Sequence, residues 1–232
     1  MIDVIIPLNN RSTVKNLELK FALRGIQKYL KGLGKVFVIG ECPDYLQNII
    51  HIPHEDDPRS RFKERNVANK MIAACKDQRI SENFLMWHDD HFLLQELQAG
   101  TFPLVHHGKI NPGPGQYGET KKNTMALFGG DINDHDSHCP ILLNKKKFLN
   151  TIPKIDWSKW YGYCLKTVYC IQNGIKAEYY PDLKIRHANS ADEIRGAIAG
   201  RKWFSIGDRC WKGGYMKEVL EELYPEKSKW ES

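Results

Sequence analysis

No apolar run in the 232-residue chain approaches the roughly 18 residues that a membrane span requires. Nothing reads as a signal peptide either, because Met1 leads straight into a strand-like run. The expectation is a soluble cytoplasmic protein. Zinc-finger and disulfide spacings are also missing. The six cysteines (Cys42, Cys75, Cys139, Cys164, Cys170, Cys210) form no CxxC pair and lie in apparent core segments, which suits free thiols in a reducing compartment. The densest basic clusters are only Lys121-Lys122 and Lys145-Lys146-Lys147. The net charge of +6 therefore suits a polyanion, a nucleotide diphosphate or no charged partner equally. There is no internal repeat and no low-complexity linker, so one domain is expected over 1–232.

An apolar fraction of 41% with 11% aromatics supplies a sizeable core. The chain turns on Phe84-Leu85-Met86-Trp87-His88-Asp89-Asp90-His91-Phe92-Leu93-Leu94, an apolar run on either side of two adjacent carboxylates and their flanking histidines. Such a run reads as a strand buried on both faces. Two neighbouring buried carboxylates cost several kcal/mol without a countercharge, which places them at the carboxyl edge of an open α/β sheet. Hard oxygen ligands there suit Mn2+ or Mg2+. The plainer reading is a turn whose carboxylates cap nearby amides.

The rest of the chain supports a parallel, Rossmann-like start. Ile2 to Pro7 is a first strand, and Asn9-Asn10-Arg11-Ser12 sits where a βα loop faces a ligand. Leu17, Phe21, Ile26 and Leu30 recur at helical spacing up to Gly32, and Lys35–Gly40 and Ile49–Pro53 are further strands. A helix is expected over 61–76. Its start, with Arg65, Asn66, Asn69 and Lys70, can aim donors at a nucleotide, or it can be a solvated basic face. Residues 106–124, rich in Gly and Pro, read as a long functional loop that orders over bound donor. A second acid-and-imidazole cluster follows at Asp131 and Asn133–His138. An aromatic helix is expected over 157–173, an irregular strand over 176–187 ending at His187, an N-cap at Ser190, and a last helix over 215–223.

Asp3-Val4-Ile5-Ile6-Pro7 resembles the opening strand of GT-A glycosyltransferases. Leu19 to Tyr45 and His88-Asp89-Asp90-His91-Phe92 more closely resemble Stealth-type sugar-phosphate transferases, as does His138-Cys139-Pro140 with its H-x-P pattern. The compact length, WFSIGD at 203–208 and the helix after it resemble short phage-encoded glycosyltransferases. The chain departs from the Stealth pattern at His88, which replaces the Asn of NDD, and in lacking long insertions.

The resemblance implies an α/β GT-A fold: a mostly parallel central sheet flanked by helices, with a small C-terminal helical, acceptor-side portion. Residues 1–95 would form the nucleotide-sugar half and 96–232 the acceptor half. It implies a metal-dependent glycosyltransferase acting from a nucleotide-sugar donor, a UDP-sugar in the first instance. The acceptor is a glycan or, for a phage enzyme in the host cytoplasm, a hydroxymethylated DNA base. Transfer of a whole sugar phosphate is the alternative. Asp90 would bind the metal, Asp89 the metal or the donor, and His187 or His138 would complete the site. Pro7, Asn9, Arg11, Arg65, Asn66, Asn69 and Lys70 would hold the donor. Asp136, or else Asp131, would be the base, with His138 beside it. Two other classes remain open: a nucleic-acid binder, and a metal-dependent hydrolase using Asp89, Asp90, His135 and His138.

Overall fold

Seven residues, Ile2–Leu8, form the first strand (β1), and six of them are buried because the strand is covered on both faces. The structure, a computed structural model, describes residues 1–9, 12–59 and 62–232. Helix α1 (Leu17–Tyr29) follows, then a two-residue strand β2 (Leu30–Lys31), β3 (Leu33–Gly40) and β4 (Ile50–Ile52). After α2 (Lys63–Lys76) comes β5 (Asn83–Met86). Strand β9 (Ile141–Asn144) completes a five-stranded sheet of order β4-β3-β1-β5-β9. The first four run parallel and β9 runs antiparallel against β5. The architecture is the mixed α/β one expected.

The period of two along each strand sorts the core. Val4, Ile6, Val36, Val38 and Leu85 face Leu19, Leu23 and Ile26 of α1. Ile5, Phe37, Ile39, Phe84 and Met86 face Ala68 and Met71 of α2, with Leu165 and Val168 of a later helix behind them. Asp3 locks the register at one end. Its Oδ1 accepts from the Lys35 amide at 2.7 Å and its Oδ2 from the Ser81 amide at 2.8 Å.

The stretch expected as one strand to Leu94 is two. Trp87 donates the last ladder bond, to the Ile5 carbonyl, and residues 88–90 then turn. Strand β6 (His91–Leu93) leaves for a second sheet of order β11-β12-β6, where β11 is Lys184–Ile185 and β12 is Trp203–Ile206. The adjacent carboxylates are the physical reason, since a strand carrying them deeper would bury them without countercharge. Trp87 Nε1 donates across the turn to the His91 carbonyl at 3.0 Å and fixes its width.

Three other expectations change. The loop expected over 106–124 ends early. After β7 (Leu97–Gln98) and β8 (Val105–His106), helix α3 runs Gln116–Phe128. Gly118 is compatible with its first turn because a Cβ there would lie 1.7 Å from the Gly113 carbonyl oxygen. The aromatic helix starts not at Trp157 but at Leu165, after α4 (Lys145–Thr151), and runs as α5 (Leu165–Gln172). Tyr161 at φ 68 and Gly162 at φ 55 are left-handed and break any helix before it. The strand expected over 176–187 is two short pieces, β10 (Glu178–Tyr179) and β11, which join different sheets. The last elements agree with expectation. Helix α6 (Ala191–Ile198) is capped by Ser190, whose Oγ accepts from the Glu193 amide at 3.1 Å, and α7 spans Tyr215–Leu223. Among the described residues no helix is long and apolar enough to cross a membrane.

Candidate active site

The carboxyl ends of β1 and β5 and the amino end of β9 open on one cavity of about 580 Å³. Because β9 runs antiparallel, the segment leading into it lies at the same sheet edge as the Asp89-Asp90 turn. That brings Asp136, Ser137 and His138 onto the same cavity wall set as Pro7, Asn9, His88, Asp89 and Asp90. Convergence was expected from successive parallel strands; the reversed β9 achieves it instead.

One wall concentrates carboxylates: Glu18, Asp89, Asp90 and Asp208. Lys184 Nζ sits 2.9 Å from Asp90 Oδ2, and His91 Nε2 lies 3.6 Å from its Oδ1. Burial works to raise the Asp90 pKa, but the Lys184 ammonium beside it leads the charges that outweigh burial and hold the group ionised. Asp89 goes the other way, well above the usual carboxylate range, through burial first and then the charges of Asp90 and Glu18. Glu18 is raised by burial too. Its Oε1 accepts from Ser12 Oγ at 2.8 Å, while its buried Oε2 has no hydrogen-bond partner among the described residues. Burial also brings His88 down to about 3, so its imidazole is neutral.

The carboxylates and the orphaned Glu18 oxygen are hard oxygen donors of the kind a divalent cation takes, and Lys63, Lys184 and Arg186 line the same cavity. Asp89 and Asp90 would hold the cation. Among the described residues no three His, Cys, Asp or Glu side chains gather as a ready-made metal cage.

The facing wall is built differently. Tyr117 donates its hydroxyl to Asp136 Oδ2 at 2.8 Å. His138 is held twice by Asp182, whose Oδ1 accepts from its amide at 2.7 Å and whose Oδ2 lies 2.5 Å from Nδ1. Gln116, Thr120 and Tyr161 add neutral polar and aromatic surface. Tyr161 is pinned in its left-handed conformation by Thr120 Oγ1, which donates to its carbonyl at 2.7 Å. Between the walls Glu64 is raised to about 7, by burial first, with Asp136 adding to it. A smaller hollow of about 380 Å³ adjoins at Asn9, lined by Leu8, Glu41, His54 and Asp56 at the ends of β1 and β3.

The other expected site residues lie elsewhere. Asp131 is exposed and paired with Lys109 at 3.1 Å. His187 is exposed off the cavity, while its neighbour Arg186 lines it. Arg65 packs over the Phe62 ring, and half-buried Asn69 lines neither hollow. Asn66 clasps Asp57, accepting from its amide at 3.1 Å and donating to its carbonyl at 2.8 Å. Lys70 Nζ donates to the Leu8 carbonyl and to Asp56 Oδ2, each at 2.6 Å. The polar face of α2 thus secures the 56–57 loop against β1. His135, a ligand in the hydrolase reading, lies off the cavity wall with its ring 5.9 Å from that of His106. Arg11 falls outside the described residues.

Glu18, Glu64, Lys166, Asp182, Lys184 and Asp208 were not anticipated. Only Asp208 carried a local signal, as an acid directly after the apolar run Trp203–Gly207.

No family model and no curated protein matches the chain. Solved structures do share its fold. A crystal structure of an active-site mutant of LgtC aligns over 96% of this chain and 95% of its own, with TM-score 0.53 and 11% identity. The galactosyltransferase LgtC in complex with donor and acceptor sugar analogues aligns over 98% and 97%, with TM-score 0.52 and 12% identity. At that identity the likeness speaks for architecture alone, and the architecture is the GT-A fold of these glycosyltransferases.

Proposed function

We propose that the chain is a glycosyltransferase that moves a sugar from a nucleotide-sugar donor to an acceptor hydroxyl, with Mn2+ or Mg2+ held by Asp89 and Asp90. The observation that carries this reading is that one cavity gathers Glu18, Asp89, Asp90 and Asp208 together with Asp136 and the aromatic Tyr117 and Tyr161. A carboxylate-rich wall calls for a cation and a phosphate. A hydroxyl-rich wall with aromatic faces suits a sugar.

The smaller hollow suits the nucleoside. It lies at the ends of the first two parallel strands, where Rossmann-like folds place an acid for ribose hydroxyls, and Glu41 occupies that position. When bound, the cation offsets the charge that builds on the diphosphate as the glycosidic bond breaks. Asp136 takes the proton of the acceptor hydroxyl as that oxygen bonds to the anomeric carbon, and the electrons of the broken bond leave with the nucleoside diphosphate. The Tyr117 hydroxyl on Oδ2 fixes the orientation of Asp136. Asp182 fixes the His138 ring so that Nε2 remains available beside the reacting groups. Gln116, Tyr117, Thr120 and Tyr161 form the acceptor side.

The test is a screen of nucleotide sugars with and without Mn2+ for thermal stabilisation, followed by product analysis. The reading expects a UDP-sugar to raise Tm more with metal than without it, and the nucleoside diphosphate to be released on transfer. Release of the nucleoside monophosphate would instead identify sugar-phosphate transfer, and phosphoester turnover without an acceptor would identify a hydrolase.

A further inference from the structure

The chain buries two lysines almost completely, Lys70 at 2% exposure and Lys166 at 4%. Lys70 has its carboxylate, Asp56. Lys166 has none among the described residues. Its Nζ donates to the carbonyls of Ser137 and Cys139, at 2.7 and 2.6 Å. An ammonium has three N–H donors, so one is left over, and neutral carbonyls do not cancel its charge. A buried cation without a counterion is strongly unfavourable unless something supplies the anion.

Lys166 lines the cavity. It is the second residue of α5, where the positive pole of the helix adds to its own charge. The two carbonyls that hold it flank His138 in the chain, and His138 lines the same cavity.

We infer that Lys166 is the fixed part of a phosphate subsite, its remaining N–H directed to a phosphoryl oxygen that needs no metal ion to be held there. This rests on the transferase reading for the identity of the ligand but not for the existence of the subsite. The phosphoryl group belongs either to the donor diphosphate or to a phosphorylated acceptor.

The experiment titrates inorganic pyrophosphate, UDP and uridine in EDTA against the wild type, Lys166→Met and Lys166→Arg, following Tm and calorimetric affinity at constant ionic strength. The wild type is expected to bind pyrophosphate in EDTA. Lys166→Met should melt no lower than the wild type without ligand and lose at least tenfold in pyrophosphate affinity while keeping uridine. Lys166→Arg should keep part of the affinity. Should Lys166→Met fail to fold, the wild type decides: pyrophosphate must shift the Lys166 side-chain nitrogen resonance in NMR, identified by its loss in Lys166→Arg. Competition between UDP and pyrophosphate assigns the phosphate to the donor, and simultaneous binding assigns it to the acceptor. Unchanged pyrophosphate affinity in Lys166→Met, or an unmoved Lys166 resonance in the wild type, overturns the inference. A wild type that binds pyrophosphate but neither binds nor turns over any nucleotide sugar leaves the subsite standing and removes the transferase reading.

Discussion

Asp134, fully buried, and the half-buried Asp89-Asp90 pair are handled in opposite ways. Asp134 is fully buried and doubly compensated, with Lys121 Nζ at 2.8 Å and His107 Nε2 at 3.2 Å. Burial works to raise its pKa, and those two partners overcome it and hold the group ionised. Asp90 is ion-paired with Lys184, Asp89 has no ion pair among the described residues, and Glu18, Lys63 and Asp208 line the same cavity. Asp134 is compensated by two cationic partners, whereas Asp89 faces a cavity that a ligand can enter. The residue type is the same in both places; the ion pairs each acid has and its access to the cavity differ.

The sharpest way to break that comparison is to remove an acid from each place. Asp90→Ala should lower transfer by about 10³-fold or more. Its stability should stay within about 1 kcal/mol of wild type, because relief of Asp89 offsets the loss of the Lys184 pair. Near wild-type turnover would end the metal assignment. Asp134→Asn should do the reverse to stability, costing about 3–5 kcal/mol by stranding Lys121 and His107. The deficit should shrink with rising pH. The His107 pKa is raised above its ordinary 6.5, against burial, by its bond to Asp134. Its contribution is thus complete below pH 6.5 and fades as pH climbs through the higher folded value. Urea melts between pH 5 and pH 9 measure this.

Asp136→Asn sharpens the picture on the acceptor side. It should lower kcat by about 10²–10⁴-fold while calorimetry shows donor affinity intact, as for a group that acts only as the bond forms. The smallest effect is expected at Glu64. Burial raises its folded pKa from 4.5 to about 7, so the folded state holds a proton that the unfolded state releases. Stability therefore falls as pH rises from 4.5 towards 7. Glu64→Gln should abolish that fall and be more stable than wild type at pH 8 by about 1–2 kcal/mol, less than the full shift because cavity water reaches the carboxyl. Parallel pH profiles for the two proteins would count against a buried carboxyl there.

The β-branched runs at Ile2–Leu8 and Val36–Ile39, and the aspartate pair closing Phe84–Trp87, were legible because strand alternation and buried charge are local statements. The cavity positions of Asp136 and His138 were legible in place but not in cause, since no local pattern announces that β9 runs antiparallel. The break after Trp87 was hidden because Phe92 and Leu93 are as apolar as Phe84 and Leu85. Lys166 and Asp182 were out of reach. Their partners are 27 to 44 residues away, and a lysine in an aromatic segment looks the same in sequence whether solvated or buried. His187 lies off the cavity while its neighbour Arg186 lines it, in a segment just past β11 where no strand or helix period tells the two apart.

The close approach of Gly118 to the Gly113 carbonyl sets a rule for anyone redesigning what this cavity accepts. A side chain at 118 collides with backbone, whereas one at 113 meets nothing within 4 Å. A combinatorial library for altered acceptor choice therefore has a fixed point and a free one: position 118 stays Gly, position 113 is open to Ala, and diversity belongs at 116, 117 and 120 on the same turns of α3.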